Sequence, residues 1–301
     1  MSTTISAEMV KNLREKTGAG MMDVRNALAE ANGDMEKAAE LLRQKGIASA
    51  DKKSGRATSE GLVYAKVSDD GKHGVLVEVN SETDFVARNE NFVDMVNTLA
   101  DFTLKSSAAD ISQLLSENMG SGTVDEYVRE KIGTIKENLT YRRFTRQAVQ
   151  GSGLTGSYIH TGGKIGVLLA LSAATDAIAA SDTFKQLAKD LTLHIASVAP
   201  EFVQSSDISP QAIEEEKRIE MGKEDLQNKP EEIRAKIVEG RVQKLLSQRV
   251  LLEQPYVKDP SKTVADLLKE FSAQAGGAVS VQAFTRFVLG EGADAGSEDN
   301  S

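Results

Sequence analysis

Cysteine and tryptophan are both missing from the 301 residues. The first absence excludes disulfides and thiol chemistry and suits a reducing compartment. Aromatic residues make up only 5% of the chain, so each of its nine phenylalanines weighs more in any argument about packing or recognition. Histidine is scarcer still. His73, His160 and His194 stand at no metal-ligand spacing, and without cysteine no metal site and no cofactor are expected. There is no apolar run of about 18 residues and no basic start leading into an apolar core. The sequence therefore predicts no membrane span and no signal peptide, and the expected location is the cytoplasm. A net charge of −9 argues against non-specific nucleic-acid binding, which depends on Lys and Arg neutralising phosphates. Glycine-bearing stretches such as GKIG and GSGLTGSY do not fit the phosphate-loop pattern. No enzyme constellation is found, and no catalytic residue is assigned.

What is present is a clear organisation. Residues 1–50 read as three short helices. Ser6 is placed to cap the first, with Ile5 and Val10 as a staple. Val24, Ala27, Leu28 and Ala31 recur at helical spacing in the second, and Asn32-Gly33 stops it. Asp34 caps the third, whose inner face is Met35, Ala38, Ala39 and Leu42. The polar stretch ASADKKSGRATSEG, residues 48–61, reads as a linker with its centre at 51–60.

A self-similarity follows. GKHGVLVEVNSETDFVARNENF and GKIGVLLALSAATDAIAASDTF align at a constant offset of 92 (166 − 74), so that Gly74, Leu76, Thr83, Asp84 and Phe92 meet Gly166, Leu168, Thr175, Asp176 and Phe184. Each copy reads as strand, glycine turn, strand and amphipathic helix, which predicts an α+β core of two similar halves. The first covers residues 61–150, with helices begun at Asp110 and Thr123, the latter at capping-box spacing from Glu126. The second covers 151–202 and 255–290. Between its pieces, residues 203–254 read as an antiparallel helical hairpin with a thin stripe of Ile233, Ile237, Val238, Val242 and Leu245, expected to project and seek a partner surface. Residues 291–301, acidic and small, are expected to be disordered.

The individual residues leave alternatives open. His73 and His160 read as solvated turn residues and His194 as packing at the edge of a core. Arg142, Arg143 and Arg146 read as an ion-pair patch. Phe85 is the awkward residue, an aromatic in a polar turn whose counterpart in the second copy is Ala177. It is either an exposed recognition tip or a filler between turn and helix.

LREKTGAGMMDVRNAL, residues 13–28, and EVNSETDFVAR, residues 78–88, resemble the two sequence signatures of the bacterial elongation factor Ts family. The resemblance covers nearly the whole chain, including the returning TRF of Thr285, Arg286 and Phe287. It implies a guanine-nucleotide exchange factor for the GTPase elongation factor Tu, and no enzyme. It also implies that the N-terminal module is like a ubiquitin-associated domain and docks on the GTPase's G domain through Arg14, Met21 and Met22. On the same resemblance Thr83, Asp84, Phe85 and Val86 form a tip that disturbs the magnesium site, His160 displaces the phosphate loop, and the coiled-coil hairpin supports self-association. Three departures stand out. KIGTIKENLTYRR is about three residues longer than the family's usual segment, so no contact is carried over from it. Arg25 replaces the usual lysine, and the tail ends soon after GEG, without the C-terminal helix some members have. Two rival readings remain: an adaptor whose module captures another partner, and an enzyme using Asp84 and His160.

Overall fold

The computed structural model describes residues 5–227 and 229–292. The first helices form where the local signals place them. The Ser6 hydroxyl accepts the Met9 N–H and opens α1 (Ala7–Thr17), and Gly18, in the left-handed region at φ 65°, closes it. After α2 (Met21–Glu30), Asn32 and Gly33 reverse the chain in left-handed conformations. The Asp34 carboxylate then accepts the N–H groups of Glu36 and Lys37 at the start of α3 (Met35–Asp51). Leu13, Val24, Ala27, Leu28 and Ala38 are buried in a small core of their own. The helix α3 runs further than the linker expectation allows. Ala50 is buried against the next domain's core, and this tertiary contact keeps residues 48–51 helical, leaving only 52–59 as connection.

Two three-stranded antiparallel sheets follow. The first is built from β1 (Glu60–Val67), β2 (His73–Ser81) and, after the helices α4 (Asp84–Ala87), α5 (Glu90–Lys105), α6 (Ile111–Ser116) and α7 (Val124–Ile135), from β3 (Leu139–Ala148), in the order β1-β2-β3. The second is built from β4 (Gly153–Ile159), β5 (Ile165–Ala173) and a distant last strand. Between β5 and that strand lie α8 (Asp176–Ala180), α9 (Asp182–Val198), the hairpin helices α10 (Pro210–Met221) and α11 (Glu231–Ser247), a short ribbon of β6 (Pro255–Tyr256) and β7 (Asp259–Thr263), and α12 (Val264–Ala275). The strand β8 (Val279–Val288) then closes the order β4-β5-β8.

The offset of 92 holds from β2 to β5, and beyond the hairpin it becomes 140: α7 and α12 start at Val124 and Val264 (264 − 124 = 140), each behind a threonine capping box. Even the irregularity is repeated. The register of β2 with β3 shifts between Glu78 and Val79, and that of β5 with β8 shifts between the matching Ala170 and Leu171.

The repeated glycines lie where the halves meet. A Cβ on Gly74 would come 2.7 Å from a Leu168 methyl, and one on Gly166 would come 2.7 Å from a Leu76 methyl. Each half thus offers a glycine gap to the other's leucine, the reciprocal pattern of a twofold contact. Val63 and Phe287 complete this buried seam.

Glu78, fully buried, joins the first sheet to the end of β8. Its carboxylate accepts from Arg142 Nη1 at 2.8 Å, Arg143 Nε at 2.6 Å and the Gly290 N–H at 2.8 Å. Burial pushes its carboxyl up, but the Gly290 N–H and the two guanidiniums outweigh this and hold it below the ordinary carboxylate value. The expected arginine patch is therefore two-thirds an ion-pair site. Arg146 departs from it and donates to the carbonyls of Thr103, Ser106 and Ala108.

In the hairpin, Val238, Val242 and Leu246 are buried with Ile208, Leu226 and Val250. The expected stripe holds except at its start: Ile237 and Leu245 are half-buried against the same cluster, Leu246 joins the inner line at four-residue spacing, and Ile233 is exposed. His194 is fully buried rather than at an edge. Its Nε2 meets Gln254 Oε1 at 2.9 Å and its Nδ1 accepts the Val257 N–H at 3.2 Å, tying α9 to the chain returning from the hairpin. The acidic tail expected to be disordered lies, from residue 293, outside the described residues.

Candidate functional site

Thr83 ends the exit from β2 with its backbone extended and its hydroxyl accepting the Val86 N–H at 3.4 Å, which caps the single turn of α4. Within that turn Val86 and Ala87 face the core. Phe85 faces out and is 82% exposed. The filler role for Phe85 is thereby ruled out, since Val86 already occupies the gap between turn and helix. Asp84 is held by Arg88 at 2.9 Å in an exposed i,i+4 pair, which orients the carboxylate but contributes little stability.

The second half repeats the device without the aromatic. Thr175 caps α8 by accepting the Ile178 N–H at 3.3 Å, and Ala177 stands where Phe85 does.

His160 sits in a turn that also has a twin. The His160 N–H reaches the Ile165 carbonyl and the Gly163 N–H reaches the His160 carbonyl, both at 2.9 Å. In the first half Ser68, His73 and Gly71 make the same pair of bonds, with Gly71 and Gly163 at φ 69° and 68°. His160 replaces Ser68 and is exposed, with the Tyr158 hydroxyl 3.0 Å from its Nδ1. Its turn rests on β1: the Val63 N–H donates to the Gly163 carbonyl at 2.7 Å, and Lys164 pairs with Glu60 at 3.0 Å. Leu62 packs in the same cluster as Val86, so β1 is a common mount for the Phe85 and His160 tips. His73 begins β2, at the opposite end of that strand from Ser81 and the Phe85 tip.

Arg14, Met21 and Met22 form a separate surface on the module. Met21 and Met22 are 60% and 63% exposed in the first turn of α2 and, with Ile5, Val10 and Arg14, line a shallow apolar groove with charged edges. Unbranched thioethers suit a surface that must adapt to a partner. The module is set against the core where α3 crosses α7. There a Cβ on Gly133 would fall 2.3 Å from the Gly46 Cα, and the ion pairs Arg43–Glu126 and Lys136–Asp23, at 2.8 and 3.1 Å, flank the crossing.

Residues missed by the sequence reading are those that hold the first tip from behind. Glu137 accepts from both the Thr83 hydroxyl and its N–H, and Glu82 accepts the Asn138 N–H. Partners 54 residues apart leave no local signal. Among the described residues no group of three or more His, Asp or Glu is gathered as a metal site, and no helix is long and apolar enough to cross a membrane.

Two exposed tips mounted on one braced strand, and a separate apolar groove on the module, are the features this surface displays. The family model described as Elongation factor TS matches residues 82–291. A protein named Elongation factor Ts from a Nostoc species is 45% identical over 96% of this chain and 93% of its own length. Those of Nitratiruptor and Clostridium perfringens are 43% and 44% identical, each over 98% of this chain and 96% of their own. The chain belongs to the elongation factor Ts family.

Proposed function

We propose that this protein is a guanine-nucleotide exchange factor for elongation factor Tu, acting in the cytoplasm without chemical catalysis of its own. The observation that carries the reading is Phe85, 82% exposed on a capped turn that the rest of the fold does not need it to complete. In this reading the module, like a ubiquitin-associated domain, docks on the G domain through Arg14, Met21 and Met22. Phe85 enters beside the nucleotide's magnesium site with Asp84 next to it, on the turn made by Thr83 and Val86. His160 presses on the phosphate loop. Exposed Ile219 and Ile233 suit the coiled-coil hairpin, residues 203–254, to self-association.

The driving force is linkage. A partner that binds the nucleotide-free GTPase more tightly than the loaded form weakens nucleotide by the same factor. Each tenfold weakening needs about 1.4 kcal/mol, and one buried phenylalanine supplies roughly 1.5–3 kcal/mol. Phe85 alone therefore accounts for about one to two powers of ten, and the module and second half must supply the rest. Release of a fluorescent GDP from elongation factor Tu is expected to accelerate with catalytic amounts of the protein. Phe85→Ala should slow that acceleration about ten- to hundredfold with an unchanged circular-dichroism spectrum. Full acceleration by the variant would refute the wedge role.

A further inference from the structure

The exposed phenylalanine stands on only four helical residues, too short a helix to hold its own geometry. What holds it comes from across the sheet. Glu137, in the turn between α7 and β3, accepts a hydrogen bond from the Thr83 hydroxyl on Oε1 at 2.6 Å and one from the Thr83 N–H on Oε2 at 3.0 Å. With its proton committed to Glu137, the Thr83 hydroxyl turns a lone pair to the Val86 N–H, so one carboxylate fixes both the entry to α4 and its cap. A charged acceptor makes both bonds stronger than neutral ones.

The second half supplies the control. At the offset of 140 the counterpart of Glu137 is Gly277, and at the offset of 92 the counterpart of Glu82 is Ala174. A Cβ on Gly277 would fall 2.8 Å from that of Ala174 and 2.7 Å from an Ile178 methyl, so close packing stands where the carboxylate would be, and α8 keeps its threonine cap and an exposed Asp176–Lys72 pair at 3.7 Å. The carboxylate brace is present in the half that displays Phe85 and absent from the half that displays Ala177. The neighbouring Lys136 pairs with Asp23 of α2, so the same turn is also tied to the N-terminal module.

We propose that Glu137 is the positioning residue of the Phe85 tip: it sets the angle at which the aromatic is presented to the GTPase, and without it the protein still binds but exchanges slowly. This rests on the exchange reading above. The test measures the maximal rate and half-saturating concentration of fluorescent-GDP release from elongation factor Tu. The proteins compared are the parent, Glu137→Ala, Glu137→Gln, Phe85→Ala and the Glu137→Ala/Phe85→Ala pair. Glu137→Ala should lower the maximal rate about tenfold, as expected for a lost charge-assisted bond, with half-saturation nearly unchanged. It should add nothing to Phe85→Ala, because it acts through that side chain. Glu137→Gln, which keeps an acceptor for the Thr83 hydroxyl, should recover most of the rate. An unchanged rate in Glu137→Ala, or a further tenfold loss on the Phe85→Ala background, would overturn the proposal. Amide hydrogen exchange of Val86 separates this failure from failure of the exchange reading. If the parent does not accelerate release, that reading falls. Faster Val86 exchange in Glu137→Ala still supports the brace, and unchanged protection overturns it.

Discussion

The two halves of the core share a backbone and differ in what they display on it. Gly61 and Gly153 stand at matched positions with φ of 133° and 149°, and the interface glycines, the threonine caps and the strand irregularity are also matched. At other matched positions the first half carries chemistry and the second a small residue: Glu78 against Ala170, Glu82 against Ala174, Phe85 against Ala177, Glu137 against Gly277. The exchange also runs the other way, with His160 opposite Ser68. The frame is thus what both copies need to fold, and the unmatched residues are what one copy adds to it. An aromatic that a twin position does without is a tool of that half.

Substitutions that treat the halves alike or apart can break this comparison. The largest effect is expected at the matched glycines. A Cβ would fall 2.2 Å from the Val79 carbonyl oxygen at Gly61 and 2.3 Å from the Leu171 carbonyl oxygen at Gly153. Gly61→Ala and Gly153→Ala should each cost about 3 kcal/mol or more of stability in denaturant unfolding, through strain and overpacking. A large cost at one and none at the other would end the claim of equivalent frames. Glu78→Ala makes the first half resemble the second and should cost about 3 kcal/mol, the range for breaking a buried ion pair.

A smaller effect is the pH dependence, where the two halves contribute in different windows. Burial holds the His194 imidazole below its ordinary value of 6.5, partly offset by its bond to Gln254. The unfolded chain then takes up a proton before the native one does, so stability should fall as pH drops below about 6.5 toward the lower folded value. His194→Gln should remove that slope. Glu78, held below its ordinary 4.5, adds a second decline only beneath that value, as the unfolded carboxylate protonates first. The smallest effect is the reciprocal exchange. Ala177→Phe, at an exposed position, should change stability by no more than about 0.5 kcal/mol and should not restore GDP release to Phe85→Ala.

Features carried by neighbours along the chain are legible in the sequence itself. Ser6, Asp34 and Thr123 act within three residues of themselves, and the repeat is visible because its first offset is constant. The same repeat singles out the Phe85 tip, though its exposure is settled only by the fold. What the sequence hides depends on distance. The glycine gaps at 74 and 166 have a reason only when the halves meet, the extension of α3 depends on Ala50 reaching another core, and Glu137 meets Thr83 across the sheet. The second offset, 140, is masked by the inserted hairpin, which divides one copy and leaves the other whole.

That division has a consequence for how the chain is made. The first sheet closes within a continuous stretch, with His73 pairing to Ala148, whereas Ile165 must wait for Val288. Contacts that close over a longer loop form more slowly, and a chain emerging from the ribosome completes its N-terminal units first. The first sheet can therefore close, and can offer Val63 and Leu76 as a surface to fold against, while Glu78 still waits for the Gly290 N–H and the second half for its last strand. A nascent chain that stops before Val279 leaves one edge of β5 without its partner, a ready template for unwanted strand pairing. The final ten-residue strand is thus the step that makes the newly synthesised protein safe to release.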